Sequence, residues 1–196
     1  MADNDELATS SAQGFKVGQE KSLNELHNLD AEDESLAKWK ASLGLTADTV
    51  AAAVDPNDKR TVIIEELALE VEGRDDITVN LTEPGALEAL KGTPFIVKEG
   101  SVYEMRIKFR VQGKIISGLK YVHIIKRKGI KVDKTEEMLG SYGPKAEPYM
   151  KRLGKEEAPS GMIARGSYVA MSRFTDDDKT IHLEFEWAID IKKDWK

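Results

Sequence analysis

Cysteine is absent from this chain of 196 residues. Disulfides and thiolate metal sites are therefore excluded, and the composition suits a reducing cytosol. Histidine is scarce: His27, His123 and His182 are scattered, with no HExxH and no i,i+4 pair, so a histidine-rich metal centre is not expected. No apolar run approaches the roughly 18 residues of a membrane span. The opening MADNDELATS is acidic and lacks the apolar segment of a secretory signal. Nucleotide motifs are missing too, since there is no GxxxxGK[ST] and GSYG after a polar stretch is not GxGxxG. No GxSxG elbow occurs, and no Ser/His/Asp set is suggested by context. Nothing in the chain points to an enzyme or to a bound cofactor.

What is present is an apolar fraction of 40%, enough for a core in one good-sized domain with an appendage, or in two small domains. Charge is spread unevenly. Residues 1–60 hold 12 acidic and 6 basic side chains, while residues 61–196 hold 23 of each, so the whole net charge of −6 lies in the first third. An acidic arm on a neutral domain argues against binding a phosphate backbone and for a basic partner.

Residues 1 to about 20 are polar and read as disordered. Ser22 with Glu25 forms a capping box, and Leu23, Leu26 and Leu29 share a face, predicting a helix near 22–29. Asp30 with Asp33 marks a second start, and Leu36, Trp39 and Leu43 make another stripe stopped by Gly44, predicting a helix near 31–43. These stripes are narrow, and such short helices are marginal alone. Residues 1–60 are thus expected to be a flexible arm carrying a helix-loop-helix, closed by a linker through Pro56.

From Thr61 the period becomes two. VYEMRIKFRV sets Tyr103, Met105, Ile107, Phe109 and Val111 on one face and Glu104, Arg106, Lys108 and Arg110 on the other. IHLEFEWAIDI does the same with Ile181, Leu183, Phe185, Trp187, Ile189 and Ile191. Thr61–Val71, Ile77–Leu81, Phe95–Lys98, Ile115–Arg127, Ile130–Val132 and Met162–Phe174 are further strands. Half-buried strands without helical crossovers predict an all-β domain, 61–196, of antiparallel sheets packed as a sandwich. GSYGPKAEPYMKRLGKEEAPSG is rich in Gly and Pro and is expected to be a surface loop. KRKGIKVDK (126–134) is basic but alternates apolar and polar residues, which favours a solvated sheet face over nucleic-acid contact.

Asp176-Asp177-Asp178 falls between two strands, at a hairpin tip where Asp suits the turn. It lacks the spacing and the bend glycine of a Ca²⁺ loop. Paired catalytic carboxylates need a pocket with differing environments, which a tip does not offer. A turn and a partner-facing surface both remain open on these residues alone.

LDAEDESLAKWK, FIVKEG, SGLKYV, GSYGPKAE, EEAPSGMIARGSY and SRFTDDDKTIHLEFEWAIDIKKDW together resemble the Rho GDP-dissociation inhibitors, over about residues 21–196. The resemblance implies an immunoglobulin-like sandwich behind a regulatory arm. It also implies a cytosolic inhibitor, a monomer when free, that binds prenylated Rho- and Rac-type GTPases one to one, GDP-bound by preference. Such an inhibitor blocks GDP release through the switch regions and extracts the GTPase from membranes without inserting stably itself. By resemblance, Asp33 and Asp178 contact the GTPase, with Leu23, Leu26, Leu36 and Trp39 giving the arm its apolar faces. Asp133, Glu147, Glu156 and Glu157 match acids facing the GTPase's basic tail. Leu69, Phe95, Tyr103, Ile115, Ile163, Ala170 and Trp187 match an isoprenoid pocket, for which ordinary core packing is the alternative. Glu137 stands where relatives often carry Tyr, and Ala170 where a larger residue is usual. Pro94 replaces a phosphorylatable Ser, whereas Ser167 is retained. A rival reading is an immunoglobulin-like module for another lipidated or calcium-dependent partner.

Overall fold

The computed structural model describes residues 6–9, 33–35, 38 and 58–195. Among these residues nine strands form two sheets: β1 (Val62–Val71), β2 (Ile77–Asn80), β3 (Phe95–Lys98), β4 (Val102–Val111), β5 (Ile116–Arg127), β6 (Ile130–Tyr142), β7 (Tyr149–Glu157), β8 (Gly166–Thr175) and β9 (Ile181–Lys192). The four-stranded sheet runs β2-β1-β4-β7 and the five-stranded sheet β3-β9-β8-β5-β6. A short helix, α1 (Ala86–Gly92), carries the chain from one sheet to the other and buries Leu90.

Alternation places one face of each strand inside. Ile107, Phe109 and Val111 of β4 are fully buried against Tyr121 and Phe174 of the opposite sheet, in one continuous core. The outward face of β4 is held by charge: Arg106 pairs with Glu70 at 2.5 Å, Glu66 at 3.0 Å and Asp76 at 3.2 Å, and Arg110 pairs with Glu65 at 2.7 Å.

Strict alternation is interrupted at several register shifts, and in β1 and β5 the shift keeps the core face. In β1 the register slips between Ile64 and Glu66, so Val62 and Ile64 share the interior with Leu67, Leu69 and Val71. A single extra residue reverses parity. In β5 the slip between Ile116 and Leu119 does the same, bringing Ile116, Leu119 and Tyr121 inward. Gly118 sits in that bulge at φ 59°, and a Cβ there would lie 2.0 Å from the Asp177 carboxylate, so only glycine fits.

Several sequence expectations are corrected. The stretch 140–161, expected to be a loop, holds the end of β6 and all of β7. Both are edge strands, where charge and solvent exposure are favoured, and their prolines (Pro144, Pro148, Pro159) fall outside the strands. β6 continues to Tyr142 rather than stopping at Val132, and β8 begins at Gly166 because Met162–Ala164 form a turn. The sheets are not wholly antiparallel: β3, delivered by α1, pairs parallel to β9.

Glu6–Thr9, within the stretch read as disordered, lies on the outer face of the five-stranded sheet. Leu7 is 2% exposed and packs with Val122, Ile124 and Met171. The Glu6 carboxylate pairs with Lys126, and the Lys134 ammonium donates to the carbonyls of Glu6 at 3.0 Å and Ala8 at 2.8 Å.

Candidate functional site: a cavity between the sheets and its acidic lip

The two sheets part at the end where β5 finishes and β7 finishes, leaving a cavity of about 370 Å³, within the usual range of ligand sites. Leu69 of β1 and Tyr103 of β4 wall it on one side, and Trp187, Ile189 and Ile191 of β9 on the other. Val97, Ile125 and Tyr168 complete an apolar interior. The inward parity of β9 makes this wall: residues 187, 189 and 191 follow one another on a single face.

Trp187 is held in place. Its Nε1–H donates to Ser172 Oγ at 2.9 Å, Tyr121 Oη lies 2.9 Å from the same hydroxyl, and Phe95 meets the indole edge-on at 5.2 Å. All three polar groups are buried, and burial pushes the Tyr121 phenol up against the lowering effect of Ser172.

The lip of the cavity is acidic. Asp133, Glu156 and Glu157 line it, opposed by one cation, Arg127. Tyr103 Oη donates to Glu156 Oε2 at 2.7 Å. Burial and the Glu156 charge together push the Tyr103 phenol up. His123 lies between the sheets and is 3% exposed, with no protein hydrogen-bond partner on either ring nitrogen among the described residues. Burial lowers its pKa, against the raising charges of Glu156, Asp133 and Glu137.

The structure gathers only some of the residues singled out in the sequence. Leu69, Tyr103 and Trp187 line the cavity, and Phe95 joins Leu69 and Trp187 around a small adjoining void. Ala170 is fully buried, paired in register with Ile125 and Trp187 but behind the lining. Ile115 precedes β5 and is outside the lining, and Ile163 is 87% exposed on the turn before β8. Asp133, Glu156 and Glu157 converge. Glu147 precedes β7 and is separated from them by its 9 residues, about 30 Å of strand. Glu137 faces Tyr121 across β5–β6, its carboxylate near Gly154 of the other sheet, and is not in the lining.

The three aspartates have three environments. Asp176 is buried, accepting from Thr180 N–H at 2.9 Å and lying 2.8 Å from His182 Nε2, whose Nδ1 is 3.4 Å from the Thr61 hydroxyl. Asp177 pairs with Lys120 at 3.3 Å. Asp178 is exposed. Asp33 is exposed as well and accepts from Ser35 N–H at 2.9 Å, at the start of the helical residues Glu34 and Ser35. Leu23, Leu26, Leu36 and Trp39 lie outside the described residues, as does the helix expected near 22–29. Among the described residues no His, Asp or Glu group is arranged to hold a metal, and no helix is long and apolar enough to cross a membrane.

Reading the sequence did not single out Val97, Ile125, Arg127, Val132, Tyr168, Ile189 or Ile191 as lining. Ile189 and Ile191 share the parity of Trp187 and were legible from it. Arg127 carried no signal, because its place depends on the pairing of β5 with β8.

The β-sandwich thus parts at one end into an apolar cavity with an acidic lip. The family model described as RHO protein GDP dissociation inhibitor matches residues 1–194. A Rho GDP-dissociation inhibitor of Schizosaccharomyces pombe is 50% identical over 180 residues, covering 92% of this chain and 86% of that protein. One of Saccharomyces cerevisiae is 46% identical, covering 91% and 90%, and Rho GDP-dissociation inhibitor 1 of Homo sapiens is 47% identical, covering 93% and 87%. The chain belongs to the Rho GDP-dissociation inhibitor family, whose members are regulatory inhibitors acting on Rho-family GTPases.

Proposed function

We propose that the inter-sheet cavity receives the isoprenoid of a prenylated, GDP-bound Rho-family GTPase, in a one-to-one complex with a monomeric inhibitor in the cytosol. Asp133, Glu156 and Glu157 then meet the basic segment beside the lipid. Asp33 and Asp178, with Leu23, Leu26, Leu36 and Trp39 of the arm, contact the switch regions and retard the loop opening that GDP release requires. The observation that carries this reading is the apolar cavity opening directly beside three carboxylates.

Magnitudes assign the roles. A twenty-carbon isoprenoid at about 0.8 kcal/mol per buried carbon contributes up to about 16 kcal/mol gross. A bilayer offers nearly the same, so lipid transfer is close to neutral. Extraction is therefore driven by charge at the lip and by the arm on the switches. Asp178 lies at the end of β8 remote from the cavity mouth. Contacts at both ends thus require a partner spanning the length of the 10-residue strand β8, about 33 Å.

Ile125→Trp tests the assignment. Ile125 is half-buried and borders the cavity, so the indole is expected to take up lipid space with little loss of melting temperature. Extraction of prenylated GTPase from liposomes should fall at least tenfold, while binding of unprenylated GTPase persists. Undiminished extraction would place the lipid elsewhere.

A further inference from the structure

His123 and His182 both have buried side chains, but only one of them is satisfied. His182 Nε2 lies 2.8 Å from Asp176, and its Nδ1 3.4 Å from the Thr61 hydroxyl. His123 has a hydrogen-bond partner on neither ring nitrogen among the described residues. Native folds keep few such groups, because each is a cost without a return in stability. The hydroxyls nearest in register are already engaged. Ser172 of β8 is shared by Trp187 and Tyr121, and Thr135 of β6 donates to Asp133 at 3.2 Å.

What surrounds this imidazole is acid, and it comes from the edge strands of both sheets. Asp133 and Glu137 act on it from β6 and Glu156 from β7, with Asp133 Oδ2 at 4.0 Å from Nε2. The two edges run close together, since Glu137 Oε1 comes within 3.6 Å of where a Cβ on Gly154 would stand. From β4, Tyr103 reaches the same group through its hydrogen bond to Glu156, and on β5 itself Tyr121 lies 5.4 Å away. Arg127, the cation lining the cavity, already donates to the carbonyls of Ile163 and Arg165. Asp133 and Glu156 are therefore at once two of the three lip carboxylates and the acids that would stabilise a charge on His123. A neutral imidazole leaves them to whatever binds at the lip. An imidazolium competes for them, because opposite charges attract strongly where water is excluded.

We propose that His123 is a proton-binding site coupled to the acidic lip, so that a proton taken up there draws on Asp133 and Glu156 and loosens the lip's hold on a basic segment. The inference rests on reading the lip as the place where that segment binds. The coupling is reciprocal: a bound basic segment opposes the proton by the factor with which the proton opposes the segment. Burial lowers the His123 pKa against the carboxylates that raise it. The proton site is thus empty at neutral pH. The hold is full above the ordinary histidine value of about 6.5 and declines as pH falls from there through the lowered one.

The test titrates the full chain with two fluorescent probes at about pH 7.5 and about pH 5.5, values that bracket the histidine range. One probe is geranylgeranyl-cysteine methyl ester, dansylated on its amine, and the other carries a run of lysines between the dansyl group and that cysteine. Lysine keeps its charge across this range, so a change in the advantage the lysines confer belongs to the protein. In the wild type that advantage should shrink at least about fivefold on acidification, the lower end of ordinary coupling between sites. His123→Gln and His123→Leu cannot take up the proton. Both should match wild type at the higher pH and keep the advantage at the lower one, with circular dichroism confirming the fold. By NMR the His123 ring should titrate lower with the lysine probe bound than without it, by the logarithm of the same factor. A wild-type advantage that survives acidification, or that shrinks equally in both variants, overturns the proposal. So does an equal loss of the probe without lysines, which would make protonation a disturbance of the cavity rather than of its lip. Lysines that confer no advantage even at the higher pH would strike the lip assignment, and the proposal with it.

Discussion

Asp176, Asp177 and Asp178 show how little residue type decides without position. Asp176 is buried, and although burial pushes its carboxyl up, the His182 and Thr180 hydrogen bonds and the charges of His182 and Lys114 hold it below its ordinary value. A depressed carboxylate stabilises the fold above the unfolded pKa of about 4, and the contribution is lost as pH falls through the folded value. Asp176→Ala leaves the Thr180 N–H and the buried His182 Nε2 without their partner and is expected to cost about 2–3 kcal/mol at neutral pH. Asp178→Ala should leave the melting temperature nearly unchanged and weaken GTPase binding by about 1.5–3 kcal/mol, the worth of a charged hydrogen bond. Thermal melts and GTPase titration of the two variants separate them. Equal loss of stability would contradict the placement of Asp178 in solvent.

At the scale of elements, the edge strands and the segment laid on β5, β6 and β8 matter most. The far part of β6 and all of β7 were missed because edge strands carry the charge and the flanking proline that otherwise mark loops. The central strands β4 and β9 were legible because each has a buried and a solvated face. The bulges of β1 and β5 were hidden, since a parity shift reads as an interrupted pattern. On the outer face of the five-stranded sheet, Leu7 covers Val122 and Ile124. Leu7→Ser should release Glu6–Thr9, shifting the methyl resonances of Val122, Ile124 and Met171 while those of Leu69 and Ile189, in the interior, stay in place. Burying a leucine is worth about 1.5–3 kcal/mol, and Lys126 and Lys134 add their bonds to Glu6 and Ala8. Unmoved Val122 and Ile124 resonances would refute the packing.

Over the whole molecule, His123 lies between the sheets, its ring tilted 58° to that of Tyr121 at 5.4 Å, with Glu156 of one sheet and Asp133 and Glu137 of the other acting on it. Asp133 Oδ2 comes no closer than 4.0 Å to Nε2. Its folded pKa is lowered, so the unfolded chain binds the proton first. Stability is full above the unfolded value of about 6.5 and falls as pH drops from there through the folded pKa. His123→Leu should raise stability by about 1–3 kcal/mol by removing an unpartnered buried polar group. It should also flatten the decline in melting temperature between pH 7 and pH 5.5. Parallel declines in the two proteins would show that His123 is not the titrating group.

The sequence by itself determined the all-β class, the inward face of the central strands, the acidity of the first third and the family resemblance. Each is carried by neighbours two residues apart or by composition, which need no knowledge of distant partners. Only the tertiary structure decided that Trp187, Ile189 and Ile191 border an opening rather than a closed core, because that depends on how far two separately paired sheets part. It alone set Glu156 and Glu157 beside Asp133 while leaving Glu147 the length of β7 away. It also brought Arg127 to the carbonyls of residues 36 and 38 positions further along the chain. These placements rest on register shifts and on edge pairing, which are settled by long-range hydrogen bonds and core volume rather than by local pattern.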